Sequence, residues 1–310
     1  MSTSIVSPDG AVETPGRPNQ VLVWLAALRP KTLAAGAAPV VVGVAVAADQ
    51  GAISPYLSAL CLAGALALQL VSNLANDLFD HLNGADTDER LGPDRPTAKG
   101  WVSVRQMTLA MVAMALIACL IGSALIVQAG WPIAAIGGAG LLSAVAYTAG
   151  PRPLGYLGLG DPLVFLFFGP AAVCGTVFVL RGEVGLNAWL ASIPMGLLAT
   201  AILVVNNLRD REEDAKTGKN TLAVRLGADG ARLEYLALIA SSYALIAFAA
   251  LRGAPHMGPG WLLPMATLPI ALLRVRAVQR KDGAELNAEL GATAGLMTVF
   301  ALCLAGGILL

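Results

Sequence analysis

The 310-residue sequence is poor in charged and aromatic side chains, which make up 13% and 5% of it. An average soluble domain carries about 25% charged residues, so this chain has too few to cover a water-facing surface without large apolar patches. Hydrophobic residues reach 56%, and the mean hydropathy is +0.70. These values exclude an ordinary soluble enzyme, a disordered chain and a disulfide-stapled secreted module. They predict a multi-span membrane protein.

The sequence has no excess charge of either sign, with 20 Lys and Arg against 20 Asp and Glu. A nucleic-acid partner is therefore not indicated. The four cysteines are isolated within apolar runs and show no CxxC spacing, so we interpret them as buried small hydrophobic residues. The chain does not open with the basic-then-apolar pattern of a signal peptide. Residues 1–21 are instead polar and rich in proline, which predicts a mobile tail.

Nine apolar runs approach the ~20 residues that a helix needs to cross a bilayer. They lack the alternation of strands, so we predict an all-α integral membrane protein whose single domain, residues 22–310, has nine transmembrane helices. The predicted spans are 24–48, 55–76, 107–127, 131–149, 161–180, 188–207, 233–252, 258–276 and 290–310.

Lys and Arg residues are distributed unequally between the two ends of the predicted bundle. Eighteen of the 20 fall in loops on one side, and only Arg181 and Arg252 fall on the other. Cytoplasmic loops carry an excess of Lys and Arg. We therefore predict a multi-pass protein of the cell membrane with a cytoplasmic N-terminus and, after nine spans, an external C-terminus.

Two polar cytoplasmic loops, 77–106 and 208–232, are each predicted to open with acidic residues at the end of a helix. The two stretches share Asn-[Asp/Asn]-Leu-x-Asp at 76–80 and 206–210, which suggests an internal duplication. We call residues 73–80 the first acidic segment and residues 206–214 the second. Helical spacing places the candidate ligands of each segment on one face. These ligands are Asn73, Asp77 and Asp80 in the first segment, and Asn207, Asp210 and Asp214 in the second.

Carboxylates stacked in this way repel one another unless a cation neutralises them. Hard oxygen ligands suit Mg²⁺, which shares its coordination positions with waters and substrate phosphates. Nearby Lys and Arg residues would hold the remaining charge of a diphosphate. The alternative is that the acids are solvated loop residues and the cations only reflect topology; the repeated acidic pattern favours the metal site. The candidate substrate-binding residues are Arg29, Lys31, Arg90, Arg95, Lys99, Arg152 and Lys219.

Two further residues are candidates for catalysis. Tyr147 ends the fourth predicted helix, where its ring can contact a bound ligand, but tyrosines are also common at membrane interfaces. Asp161 opens the fifth predicted helix, where an acid also interacts favourably with the helix dipole. Each residue therefore has both a catalytic and a structural interpretation.

Several stretches of this sequence resemble the UbiA superfamily of intramembrane prenyltransferases, and specifically its 1,4-dihydroxy-2-naphthoate branch in menaquinone biosynthesis. The resemblance extends from about residue 22 to the C-terminus. One position departs from the superfamily pattern N-D-x-x-D-x-x-x-D, because Gly84 replaces its last acid and the next acids are Asp86 and Asp88. The branch resembles this sequence in that shift. The stretches concerned are 28–32, 76–80, 84–93, 147–161, 206–210 and 218–227.

The resemblance implies transfer of a polyprenyl group from an allylic diphosphate to 1,4-dihydroxy-2-naphthoate, with loss of the carboxylate, to give a demethylmenaquinone. It implies two Mg²⁺ ions, one on each acidic segment, and an active site capped by loops 77–106 and 208–232. A dry cavity within the bilayer would protect the allylic cation from water. The residues that the resemblance makes catalytic are Asp77, Asp80, Asp210 and Asp214. It adds Asp161, and also Tyr147, which would face the cation or the aromatic substrate.

Two alternatives remain open at this stage. A related prenyltransferase could act on another aromatic acceptor, such as 4-hydroxybenzoate or homogentisate. A transporter is the alternative from another class, but transporters usually keep ionisable groups near the middle of their spans. The nine predicted spans carry no Asp, Glu, Lys or Arg at their centres, which disfavours ion-coupled transport.

Overall fold

The computed structural model describes residues 19–86, 90–251 and 258–310, and all regular structure within these ranges is helical. The tail residues 1–18, Asp88 and Arg252 lie outside the described residues, as does the side chain of Lys31. The α-helices are α1 Gln20–Leu28, α2 Pro30–Asp49, α3 Pro55–Leu82, α4 Val104–Ala129, α5 Trp131–Ala146, α6 Gly160–Leu166, α7 Ala172–Arg181, α8 Leu186–Lys216, α9 Leu222–Leu251, α10 Leu268–Val278 and α11 Leu286–Ile308. A π-helical turn, Phe167–Ala171, joins α6 to α7, and 3-10 turns cover Leu154–Leu157, Pro259–Thr267 and Gly283–Glu285.

Eight helical segments of the described chain are long and apolar enough to cross a membrane. They correspond to eight of the nine predicted runs and confirm an all-α architecture. The remaining run, 131–149, forms α5, which is apolar but only 16 residues long. The total of nine spans and the orientation of the termini therefore stay predictions.

The structure divides the first predicted span at Arg29. This residue adopts a left-handed backbone conformation, with φ of 49°, between the end of α1 and the start of α2. Pro30 explains the break, because a proline disfavours the helical conformation of the residue before it and lacks an N–H donor. The Thr32 hydroxyl donates to the Arg29 carbonyl oxygen over 2.9 Å and stabilises the junction. The predicted single helix 24–48 is therefore two helices.

Two helices extend beyond the predicted ends of their spans. α3 continues to Leu82 and α8 to Lys216. Both acidic segments are thus helical, and the connections shorten from the predicted loops 77–106 and 208–232 to 83–103 and 217–221. A helix of 31 residues, such as α8, is about 46 Å long, whereas the hydrocarbon core of a bilayer is ~30 Å thick. Because α8 is longer than this thickness, its polar end can extend beyond the apolar part of the helix.

α8 lies at the centre of the bundle and packs against α2, α6, α9 and α11. Its side chains Met195, Leu198 and Val205 are fully buried. Small residues allow neighbouring backbones to approach closely, as is typical of membrane helices. At the crossing with the α6–α7 segment, a Cβ on Gly196 would lie 2.6 Å from the carbonyl oxygen of Phe165. No side chain fits there without moving the backbone.

We expect Gly196→Ala to destabilise the protein by about 1–3 kcal/mol, since the added methyl group overpacks a backbone contact. The effect is measured as a lower thermal unfolding temperature in detergent micelles. Gly295→Ala on α11 is the matched control, because a Cβ there meets nothing within 4 Å. The control should be neutral or stabilising, since alanine favours a helix. Equal unfolding temperatures for the two variants would contradict the tight crossing.

Candidate functional site

A cavity of about 620 Å³ connects the polar ends of α3 and α8 with the apolar interior of the bundle; we call it the central cavity. Val40, Cys61 and Val179 line its apolar part. Cys61 precedes Asp80 by 19 residues of α3, which correspond to roughly 28 Å along the helix. The central cavity therefore extends over most of the thickness of a bilayer. The acidic segments contribute Asn73, Asn76 and Asp80 from α3, and Asn206, Asn207, Asp210, Glu213 and Asp214 from α8.

Most of the predicted site residues meet at this cavity. Its lining includes the predicted residues Asn73, Asp80, Asn207, Asp210, Asp214, Tyr147, Arg29, Arg90, Arg95 and Lys219. The residues whose side chains are described but do not line it are Asp77, Asp161, Lys99 and Arg152. Lys99 lies on the surface, 3.4 Å from Asp94, and Arg152 is exposed.

Asp80 is surrounded by cations. Its Oδ2 lies 2.6 Å from Nη1 of Arg95, and its Oδ1 lies 3.0 Å from Nζ of Lys219. The Tyr156 hydroxyl donates to Oδ1 over 3.1 Å, and the Lys219 ammonium lies 5.1 Å from the centre of the Tyr156 ring. The backbone N–H of Lys219 also donates to the carbonyl oxygen of Asp214. Lys219 therefore connects the two acidic segments.

Asp77 faces a different direction from Asp80. Its Oδ1 accepts a hydrogen bond from the backbone N–H of Thr97 over 3.1 Å. Its Oδ2 is buried and has no partner in the described part of the chain. The contact with Thr97 attaches α3 to the connection 83–103. Asp77 is thus placed to hold this connection over the helix end, and its role as a metal ligand stays a prediction.

The side chain of Asn73 joins α3 to the helix break at Arg29. Its Nδ2 donates to the carbonyl oxygen of Leu28 over 2.8 Å and to the Thr32 hydroxyl over 3.0 Å. Its Oδ1 accepts from Nε2 of Gln69 over 3.1 Å. Both ends of this amide are therefore engaged in fixing the junction between α1 and α2 beside the cavity.

Three guanidinium groups concentrate positive charge at the polar end. Nη2 of Arg29 is buried without a partner within the described residues. Asp86 pairs with both neighbours: Nη1 of Arg90 lies 2.8 Å from its Oδ1, and Nη1 of Arg95 lies 3.2 Å from its Oδ2. An unpaired guanidinium that lines a cavity beside two others fits an anionic ligand.

Tyr147 and Asp161 lie close together, but only Tyr147 lines the central cavity. The Tyr147 hydroxyl fills the space beside Gly160, where a Cβ would lie 2.7 Å from its oxygen. Asp161 is the next residue, and both of its carboxylate oxygens are buried without a partner among the described residues. These contacts place Tyr147 at the wall of the central cavity and Asp161 behind it.

The donor atoms at the polar end suit a hard divalent cation. Asp80, Asp210 and Asp214 line the central cavity, and so do Asn76 and Asn206. The described residues contain no group of three or more His, Cys, Asp or Glu side chains that could hold a metal by themselves. This arrangement fits Mg²⁺, which is commonly held by one or two carboxylates together with substrate phosphates.

Several of these residues escape an analysis of the sequence alone. Gln69, Tyr156 and Arg209 stand outside the conspicuous Asn and Asp pattern, and only their contacts reveal them. The sequence does contain a signal for Asn76 and Asn206, because each lies four residues before an acid that lines the cavity. Spacing of i and i+4 puts two side chains on the same helix face.

Comparisons with known proteins agree with this geometry. A model of the UbiA prenyltransferase family matches residues 37–306. The 1,4-dihydroxy-2-naphthoate octaprenyltransferase of Escherichia coli (strain K12) is 39% identical over 83% of this chain and 85% of its own length. The enzyme of that name from Mycobacterium tuberculosis (strain ATCC 25618 / H37Rv) is 37% identical over 92% and 96%. The solved structure of a UbiA homolog from Archaeoglobus fulgidus bound to DMAPP and Mg²⁺ has a TM-score of 0.64 at 18% identity, over 91% of this chain and 99% of that one, which indicates the same fold.

Proposed function

The chain belongs to the UbiA prenyltransferase family, and from this premise we propose that it transfers a polyprenyl group from an allylic polyprenyl diphosphate to 1,4-dihydroxy-2-naphthoate. The observation that carries the proposal is the central cavity, which joins both acidic segments and four basic side chains to a long apolar interior. A diphosphate fits the polar end, and an isoprenoid tail fits the apolar part. The relatives of 37–39% identity support the choice of acceptor.

The polar end would bind the diphosphate from two sides. Asp80, Asp210 and Asp214 would hold Mg²⁺, one ion at each acidic segment, and this metal supplies positive charge to the leaving diphosphate. Arg90, Arg95 and Lys219 line the cavity around Asp80 and can contact phosphate oxygens directly. Asn73, Asp77 and Asn207 remain predicted metal ligands.

In the proposed reaction, the allylic C–O bond breaks and the diphosphate leaves with the electron pair. The electron-rich ring carbon then forms the new C–C bond, and the ring loses carbon dioxide. Arg29, whose Nη2 has no partner among the described residues, would orient the acceptor by its carboxylate. Tyr147 would face the cation, and the apolar walls exclude water that would capture it.

The proposal includes a membrane topology. Residues 22–310 would form one domain of nine spans in the cell membrane. The eight long apolar helical segments supply eight of them, and the shorter helix α5 supplies the fourth in chain order. The polar end of the central cavity would face the cytoplasm, capped by 83–103 and 217–221, and the C-terminus would lie outside. The strong bias of Lys and Arg towards the loops at this end supports the orientation.

Transfer of radiolabelled prenyl groups by the purified protein tests the function. We expect a lipid-extractable prenylated naphthalene-1,4-diol, recovered as the naphthoquinone after oxidation by air. Its formation should require Mg²⁺ and stop with EDTA. Assays with 4-hydroxybenzoate and homogentisate should give at least about tenfold lower kcat/KM, because a single ring would leave the apolar contacts of the second naphthalene ring unmade. Preference for either acceptor would support a related prenyltransferase instead. Substrate accumulation in proteoliposomes without any prenylated product would support a transporter.

A further inference from the structure

A buried ion pair lies beside the central cavity in the second acidic segment. Arg209 donates from Nε and Nη2 to the two carboxylate oxygens of Asp210, over 2.7 and 2.6 Å. The Arg209 side chain is only 2% exposed. Asp210 lines the central cavity, whereas Arg209 is not part of its described lining. Arg209 therefore acts on any ligand in the cavity through Asp210.

Three parts of the chain fix the orientation of this guanidinium. Nη2 of Arg209 donates to Oδ1 of Asn206, and Nη1 donates to Oδ1 of Asn287 at the start of α11, both over 2.9 Å. Nδ2 of Asn287 donates to the carbonyl oxygen of Leu91 in the connection 83–103. A Cβ on Gly92 would lie 2.9 Å from Nη2 of Arg209, so this connection packs directly against the guanidinium.

The cationic partners of Asp80 and Asp210 lie at different places relative to the cavity, and this difference matters for metal binding. Arg95 and Lys219 pair with Asp80 and also line the cavity, so they can transfer their contacts to a bound anion. Arg209 is held outside the cavity and stays beside Asp210. A divalent cation that approaches Asp210 therefore meets a fixed positive charge that already occupies both carboxylate oxygens.

We propose that Arg209 is a positioning residue, the internal counter-ion of Asp210, and that it makes divalent-metal binding at the second acidic segment depend on a diphosphate. The inference rests on the proposed function, which assigns Asp210 to a metal. A diphosphate supplies the negative charge that offsets both the metal and Arg209. Because such coupling is reciprocal, the metal strengthens diphosphate binding by the same factor.

The test uses Mn²⁺ as a paramagnetic probe and measures its binding to the purified protein by EPR, with and without inorganic pyrophosphate. We expect the wild type to bind Mn²⁺ at least about tenfold more tightly when pyrophosphate is present. Arg209→Gln should bind Mn²⁺ about tenfold more tightly than the wild type without pyrophosphate, and the coupling should shrink. Arg211→Gln is the matched control, since Arg211 lies on the same helix but pairs at the surface with Glu212. The control should behave as the wild type does.

Two further variants keep the test decisive if Arg209→Gln does not fold. Arg209→Lys keeps the charge and should largely restore the wild-type coupling. Asn287→Ala removes one anchor of the guanidinium and should give a smaller shift in the direction of Arg209→Gln. The proposal is overturned if the wild type binds Mn²⁺ with pyrophosphate and both Arg209→Gln and Asn287→Ala match it. If the wild type binds no Mn²⁺ even with pyrophosphate, the proposed metal site itself fails, and this inference fails with it.

Discussion

Asp80→Asn is expected to lower kcat/KM for prenyl transfer by about 100-fold or more, because it removes a charge that would hold the metal at the leaving diphosphate. Asp80 lines the central cavity and is the carboxylate on which Arg95 and Lys219 converge. Asparagine has almost the same shape, so the change isolates the charge. The measurement is steady-state prenyl transfer at saturating Mg²⁺, with thermal unfolding as the check that the variant is folded.

Asp94→Asn is the matched control, in the connection 83–103 that follows the same helix. Its activity should stay within about threefold of the wild type, since Asp94 lies on the surface beside Lys99 and is not part of the lining of the central cavity. Equal losses in the two variants would mean that the effect of Asp80→Asn does not come from its place in the cavity.

Much of the fold could be predicted because a bilayer leaves a chain few choices. Backbone polar groups have no water to bind there, so each apolar run must form a helix. The predicted span 107–127, for example, lies within α4, which covers Val104–Ala129. The break at Arg29 was harder to foresee. Its local signal, a residue before proline, was present in the sequence, but the uninterrupted apolar run around it favoured one helix.

The site was predictable in composition but not in orientation. The repeated Asn and Asp pattern indicated both acidic segments, and the structure brings them to one cavity. Residues three apart differ by only about 60° around a helix, so spacing could not tell whether Asp77 or Asp80 faces inward. The packing of α3 against the connection 83–103 decides this. Arg209 was hidden for a related reason, because an arginine among acids in a predicted cytoplasmic loop resembles a topology signal.

Gly137→Phe is expected to shorten the prenyl donor that the protein accepts. Gly137 lines the central cavity from α5, and a Cβ there meets nothing within 4 Å, so a phenyl ring can enter the cavity without a clash. It precedes Tyr147 by ten residues, or about 15 Å along the helix. A ring at this depth blocks a long tail but leaves room for the two isoprene units of a geranyl group. We expect kcat/KM to fall by about tenfold or more for octaprenyl diphosphate and to change little for geranyl diphosphate.

The comparison of donors separates this blockage from general damage, because a misfolded or weakened enzyme loses activity with both. Gly137→Ala is the matched control, since one methyl group leaves the cavity open and should preserve activity with each donor. Unchanged activity with both donors in Gly137→Phe would mean that the tail takes another route. The polar end binds the same diphosphate in either case, so selection between donors must arise in the apolar part of the cavity. A block at Gly137 that spares the short donor would therefore locate the tail between α5 and the apolar walls of the bundle.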